Sequence, residues 1–331
     1  MKERNSAFEL LRIVAIIFIM IHHVVVFGIG GANYNVVDVQ VETNPWVNDM
    51  LNSMCIIGVN LFILITGWFG VKSVPRSLFR LLPIYICVVI FVMIQRQDIS
   101  SASWGMKEWW YVPHFIMLVL CSPLIEKSIE GITLRKFSLF IVLLTIVNEL
   151  FGYHWKHMNG NGYNFLNFIY LYYIARYLKF LKERAMAMWL FHYGILIWLI
   201  CSVLLGTFHT WMVLNGKVFD STSYFGYNNP LVLLSSIGVF SWFSSLCLKS
   251  RIINFVAGGT FAVYLVSTKQ FGPLHIGNMG LSSYEEFSYI GLIIYSLLAV
   301  AVLYVPCSVI CWACSKIPMP KFLTRLSETM K

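Results

Sequence analysis

Long apolar runs recur from one end of this chain to the other, and no other feature restricts its fold as strongly. About 17 to 25 consecutive apolar residues make a helix long enough to cross a bilayer. Runs bounded by charge, Gly or Pro have cores near 9–28, 51–71, 78–95, 111–126, 137–152, 163–178, 186–206, 230–247, 256–272 and 287–314. Backbone groups in hydrocarbon must pair within their own segment, and the ten-residue alternation of a barrel is missing, so the runs predict helices. At 58% hydrophobic and 12% charged, the 331 residues carry more apolar surface than one soluble core could hide. The expected fold class is therefore an all-α polytopic membrane protein of about ten transmembrane helices. No polar stretch is long enough to fold separately, so residues 1–331 are expected to form a single integral membrane domain.

The cations set an orientation. Of the 24 Lys and Arg residues, 18 fall on one set of alternating loops and 5 on the other, with Arg12 inside the first run. Cytoplasmic loops are the ones enriched in Lys and Arg, which predicts both termini in the cytoplasm. The net charge of +9 is then a topology signal and gives no reason to expect a nucleic-acid partner. Lys2 and Arg4 precede the first run as in a secretory signal, but that run is too long, contains Arg12 and lacks a small-residue cleavage site. The eight cysteines lie almost entirely inside apolar runs, where Cys acts as a small hydrophobe, so no disulfide framework is expected.

Ionisable groups inside a membrane span are costly, which singles out Glu9, Arg12, His22 and His23 in the first run. Eleven residues separate Arg12 from His23, so on a helix they share one face about 16 Å apart, while His22 is turned away by about 100°. A permanent cation near the cytoplasmic end and an imidazole deep in the bilayer then form one stripe, along which a phosphorylated donor could lie. The alternative is that Arg12 snorkels to the headgroups beside Glu9 and the histidines mark the far end of the span.

The stretch from Glu9 through Leu10, Leu11 and Arg12 to His22 and His23 resembles the first helix of the acyltransferase 3 family, integral membrane enzymes that acylate carbohydrates and other hydroxyl-bearing acceptors. The family's arginine, ten residues, histidine pattern falls on Arg12 and His23. Gly58 to Gly67 resembles its second helix, Arg76, Arg80 and Pro83 the basic start of its third, and Trp110, Tyr111, Ser122, Pro123 and Leu124 its fourth. Ala175, Arg176 and Tyr177 resemble the end of the sixth. Two positions depart from the pattern: Ser77 stands three residues before Arg80 where the family places an arginine, and Ser267 ends a late segment that often carries histidine.

The resemblance implies a catalytic His23 with Arg12, and binding of acetyl-CoA (acyl-CoA) as co-substrate by Arg12, Arg76 and Arg80. It further implies acetyl transfer to a hydroxyl of a carbohydrate or lipid-linked glycan of the cell envelope, in the bacterial plasma (inner) membrane. Neutral imidazole suits that proton transfer near pH 7, and both a general base and a transient acyl-histidine fit. A carrier or flippase for a lipid-linked glycan and a non-catalytic envelope subunit are the rival readings.

No metal is expected. Cys307, Cys311 and Cys314 share a helix face without a histidine, and His154 and His157 sit in an outward loop where solvation is the simpler reading. His114 is a weaker cavity candidate. The longer outward loops, near 29–50 and 207–229, are where an acceptor could be selected. No Gly-x-Ser-x-Gly elbow, P-loop or dinucleotide fingerprint is present in a strand-turn-helix setting.

Overall fold

The computed structural model describes residues 5–31, 42–96, 109–155, 160–182, 184, 187–217, 221–267 and 276–329, and among these all regular structure is helical. In chain order the α-helices are α1 (Ser6–His23), α2 (Pro45–Cys55), α3 (Gly58–Phe69), α4 (Val74–Arg96), α5 (Tyr111–Ile129), α6 (Leu134–Val147) and α7 (Phe165–Leu181). They continue with α8 (Met188–Leu214), α9 (Pro230–Ser245), α10 (Arg251–Val256), α11 (Thr260–Ser267), α12 (Ile276–Cys314) and α13 (Lys321–Thr329).

Six stretches are long and apolar enough to cross a membrane: Ser6–Gly28, Pro45–Phe69, Val74–Ile94, Tyr111–Ile129, Met188–Leu214 and Met279–Cys314. The protein is an integral membrane protein on this ground, with the bilayer as its solvent. The runs expected at 137–152, 163–178, 230–247 and 256–272 are also largely helical over their described residues, which exclude 268–272, but shorter or interrupted. α6 has 14 residues before it slackens into a π-turn over Asn148–His154, α7 has 17 and α9 has 16. A 3-10 turn at Ala257–Gly259 divides the last run into α10 and α11.

Polar side chains set the helix starts. Asn5 caps α1 by accepting from the Ala7 amide at 3.0 Å, and its own amide donates to the Leu246 carbonyl at 2.8 Å, which ties the start of α1 to the segment after α9. Asn44 caps α2 ahead of Pro45, the first-turn position where a proline forfeits no hydrogen bond. In α12 the backbone breaks at Phe287 and Ser288, the latter with φ 55, so that the apolar part of that helix starts at the boundary the sequence predicts.

α1 runs through the middle of the assembly, against α2, α3, α9, α10, α11 and α12. Its Leu11, Ala15 and Ile16 are fully buried. The glycines of α3 explain how the helices come this close. A Cβ on Gly58 would stand 2.7 Å from the carbonyl oxygen of Ala15 on α1, and one on Gly67 would stand 2.8 Å from that of Tyr172 on α7. Small residues at crossings let backbones touch where lipid offers no hydrophobic drive for association. On α4, Leu82, Ile86, Ile90 and Ile94 repeat every four residues on an exposed face, as lipid contact requires.

Candidate active site along the first helix

α1 is uninterrupted from Ser6 to His23, so the helical arithmetic holds: Arg12 and His23 lie on nearly one face, about 16 Å apart. His23 is the last α-helical residue. The next turn, Val24–Gly28, is a π-helix, a form that recurs beside functional sites. His23 lies about 26 Å along the axis from Ser6, with five helical residues beyond it, so it stands nearer the far end of the span than its middle.

The two histidines have separate surroundings. His22 is buried, with Nδ1 2.5 Å from Oδ1 of Asn52 on α2. His23 is half-buried and packs its ring against Phe27 at 5.5 Å and His22 at 5.6 Å. His22 is thus held by a cross-helix hydrogen bond, whereas His23 faces a different direction, as their 100° offset requires.

At the other end of α1, Arg12 Nη1 donates to Oε1 of the buried Glu9 at 2.5 Å, one turn earlier. Arg12 keeps further N–H groups, and it lines two adjoining cavities. The outer one, about 560 Å³, brings Arg12 together with Arg76 and Arg80 of α4, with Lys72, Ser73 and Ser77, and with Ser327 of α13. All three arginines singled out as phosphate ligands therefore face one space, although 64 residues separate Arg12 from Arg76 in the chain. The start of α4 adds to the local positive field, since helix N-termini carry partial positive charge. Ser73 accepts from the Arg76 amide at 3.4 Å, and its carbonyl accepts from Ser77 Oγ at 2.8 Å.

The inner cavity, about 240 Å³, shares Arg12, Thr66 and Phe115 with the outer one and continues along α1 to Ile19, one turn short of His23. Its walls are largely apolar or aromatic, with Phe62, Tyr111, Phe261 and Tyr264. Neither lining includes His23 itself. A wide basic mouth thus narrows into an apolar passage that climbs the helix bearing the imidazole.

The comparison with known families gives one match. The acyltransferase 3 family, whose profile is described as an acyltransferase domain, matches residues 5–314. The chain belongs to this family. Comparison with curated proteins and with solved structures finds no significant match.

In this acyltransferase 3 protein the two departures from the family pattern have plain local roles. Ser77 lines the basic cavity while bonded to Ser73, and Ser267 is buried with its hydroxyl donated to the Tyr264 carbonyl at 3.2 Å. Arg176, at the end of α7, pairs with Glu126 of α5, whose other oxygen accepts from Tyr172 at 2.6 Å. His114 packs edge-on to Phe168 and tilted against Trp110, and lines neither of the Arg12 cavities. His154 stands beside Trp155, and His157 lies outside the described residues. Cys307 and Cys311 are buried in α12, and among the described residues no three His, Cys, Asp or Glu side chains gather as a metal set would.

One constellation was not legible in advance. At the far end of the molecule, His209 of α8 places Nδ1 2.8 Å from Asp49 Oδ2 and Nε2 2.7 Å from Ser221 Oγ, while Thr210 donates to the same Asp49 oxygen at 2.7 Å. Acid, imidazole and hydroxyl follow in the order of a serine hydrolase. All three are sealed, with exposures of 2%, 0% and 0%, so no substrate reaches the hydroxyl and the chain of bonds serves as a clamp between α2, α8 and the segment after it.

Proposed function

We propose that this acyltransferase 3 protein moves an acetyl group from acetyl-CoA to a hydroxyl of a carbohydrate or lipid-linked glycan of the cell envelope. Arg12, Arg76 and Arg80 hold the donor phosphates, and His23 serves the reacting hydroxyl. The observation that carries this reading is the shared cavity of the three arginines and its apolar continuation along α1. Arg12 and His23 are about 16 Å apart on one helix. A donor anchored at the arginines must therefore carry its acyl group on a long arm, which favours a coenzyme A thioester over an acyl phosphate, whose phosphate adjoins the acyl carbon.

In this scheme the basic cleft opens to the cytoplasm, as the bias of Lys and Arg supports, and both termini lie there. All ten helical runs contribute to one membrane domain of a bacterial plasma membrane protein. The acceptor oxygen attacks the thioester carbonyl carbon while His23 takes the hydroxyl proton. The C–S bond then breaks, and the proton leaves with the thiolate as free thiol. Water exclusion along the aromatic passage protects the thioester from hydrolysis.

Purified protein in proteoliposomes, supplied with labelled acetyl-CoA and the envelope glycans of its host, tests the reading. His23→Ala is expected to lose about a hundredfold or more in turnover, the usual contribution of a positioned general base. A His23→Ala protein that acetylates at the wild-type rate would overturn the assignment. His22→Ala, which breaks the bond to Asn52, is expected to lower the yield of folded protein more than the turnover of what folds.

A further inference from the structure

Beside the arginine cavity lies a larger one, about 1120 Å³, bounded by the α3–α4 turn, the end of α5, the start of α6 and the end of α7. Val71, Lys72 and Ser73 line both spaces, so the two are separated by a single turn of chain. Five cations face the larger cavity: Lys72, Lys127, Arg176, Lys179 and Arg184.

Two of them are already neutralised. Arg176 is paired with Glu126, and Lys127 lies 3.2 Å from Glu130 in an ion pair with both side chains largely in solvent. For Lys72, Lys179 and Arg184 no carboxylate stands within ion-pair distance among the described residues, and Glu126, which also lines the cavity, reaches Lys179 only at longer range. Lys179 is instead oriented by the Trp68 carbonyl, which accepts from Nζ at 2.9 Å, and Nζ stands 6.0 Å from the centre of the Trp68 ring. Three like charges around one open space repel one another, and an anion bound among them removes that repulsion.

We infer that this second cavity receives the 3′-phosphorylated adenosine end of the donor, with Lys179 and Arg184 on its 3′-phosphate, while Arg12, Arg76 and Arg80 hold the pyrophosphate next door. Lys72, which faces both spaces, bridges the two phosphate sites. The inference rests on the acyl-CoA reading above and adds a specificity that reading lacks: the protein distinguishes coenzyme A from its 3′-dephospho form. A cavity of this size exceeds what a single phosphate needs and fits a nucleotide.

The test compares acetyl-CoA with acetyl-3′-dephospho-CoA as donors for the full-length protein in liposomes of zwitterionic lipid, so that no anionic headgroup competes for the cavity. Wild type is expected to show a KM about tenfold or more higher for the dephospho donor, the range of one or two charge-assisted hydrogen bonds. Lys179→Gln with Arg184→Gln is expected to raise the KM for acetyl-CoA to the dephospho value and make the two donors equivalent, with kcat little changed. Arg184→Gln alone, at an exposed position, is expected to give an intermediate ratio even if the double variant folds poorly. A wild type indifferent to the 3′-phosphate, or variants that keep the full preference, would overturn the inference while leaving acyl-CoA dependence intact. No transfer from either donor would instead overturn the acyl-CoA reading, and this inference with it. If added anionic lipid competes with the 3′-phosphate donor in wild type but not in the double variant, the anion site stands and headgroups share it; competition that survives the double variant would count against the site.

Discussion

The two ends of this molecule use charged side chains in opposite ways. At the Arg12 end, Arg76 and Arg80 are exposed, and the cations around them line open cavities. At the other end, Asp49, His209, Thr210 and Ser221 are buried and bond one another. Open, under-neutralised charge is poised for a ligand, since it gains most when an anion arrives. Closed, mutually bonded polar groups gain nothing further from a ligand and lose much when one member is removed. The contrast separates a site from a clamp even though the clamp has the bonding order of a hydrolase.

The largest expected effect lies in the clamp. His209→Ala removes one of the two described donors to Asp49 and strands Ser221, and should destabilise the protein by about 3 kcal/mol, as breaking a buried pair does. Thermal unfolding in detergent measures this, and the protein that remains folded should show an unaltered donor KM. A wild-type melting temperature in this variant would break the comparison.

Arg80→Ala should do the reverse. Its donor KM is expected to rise about tenfold, with kcat less affected and the unfolding free energy within about 0.5 kcal/mol of wild type, since its side chain is exposed. Loss of stability there would mean that Arg80 serves the fold.

Ser221→Ala leaves the Asp49–His209 bond in place and should cost about 1 kcal/mol, less than His209→Ala, with no loss of acetyl transfer. A Ser221→Ala protein that folds and yet is inactive would turn the clamp into a second site. The smallest change is expected for Lys127→Ala: the pair with Glu130 is solvent-exposed, so the melting temperature should not move measurably.

How much of this could be read in advance differs between the ends. The register of Arg12 and His23 was legible because α1 keeps one period over the whole interval. The convergence of Arg12 with Arg76 and Arg80 followed from the family pattern, and spacing alone would not have supplied it. The clamp was missed because two helices are longer than their apolar cores. The run at 51–71 starts after Asp49, yet Asn44 and Pro45 form a cap and first turn that carry α2 back to Pro45 and place Asp49 on it. α8 continues past 206 to Leu214, two further turns that hold His209 and Thr210. Parts of the stretches read as acceptor loops, 29–50 and 207–229, are therefore helix, namely 45–50 and 207–214, with 32–41 and 218–220 outside the described residues. Attention to caps as well as hydropathy would have found half of the cluster; the pairing across 160 residues needed the fold.

α13 has a practical consequence. Its Ser327 faces the same cleft as Arg12, Arg76 and Arg80, and Asn5 and Ser6 are bonded to the segment 246–250 nearby. A bulky fluorescent label on α13 would crowd that cleft, and a weak labelled enzyme would say little about the unlabelled one. The exposed turn at Asn215–Lys217, beyond α8 on the opposite end, is the better place for an inserted epitope, because nothing proposed to meet the donor lies near it.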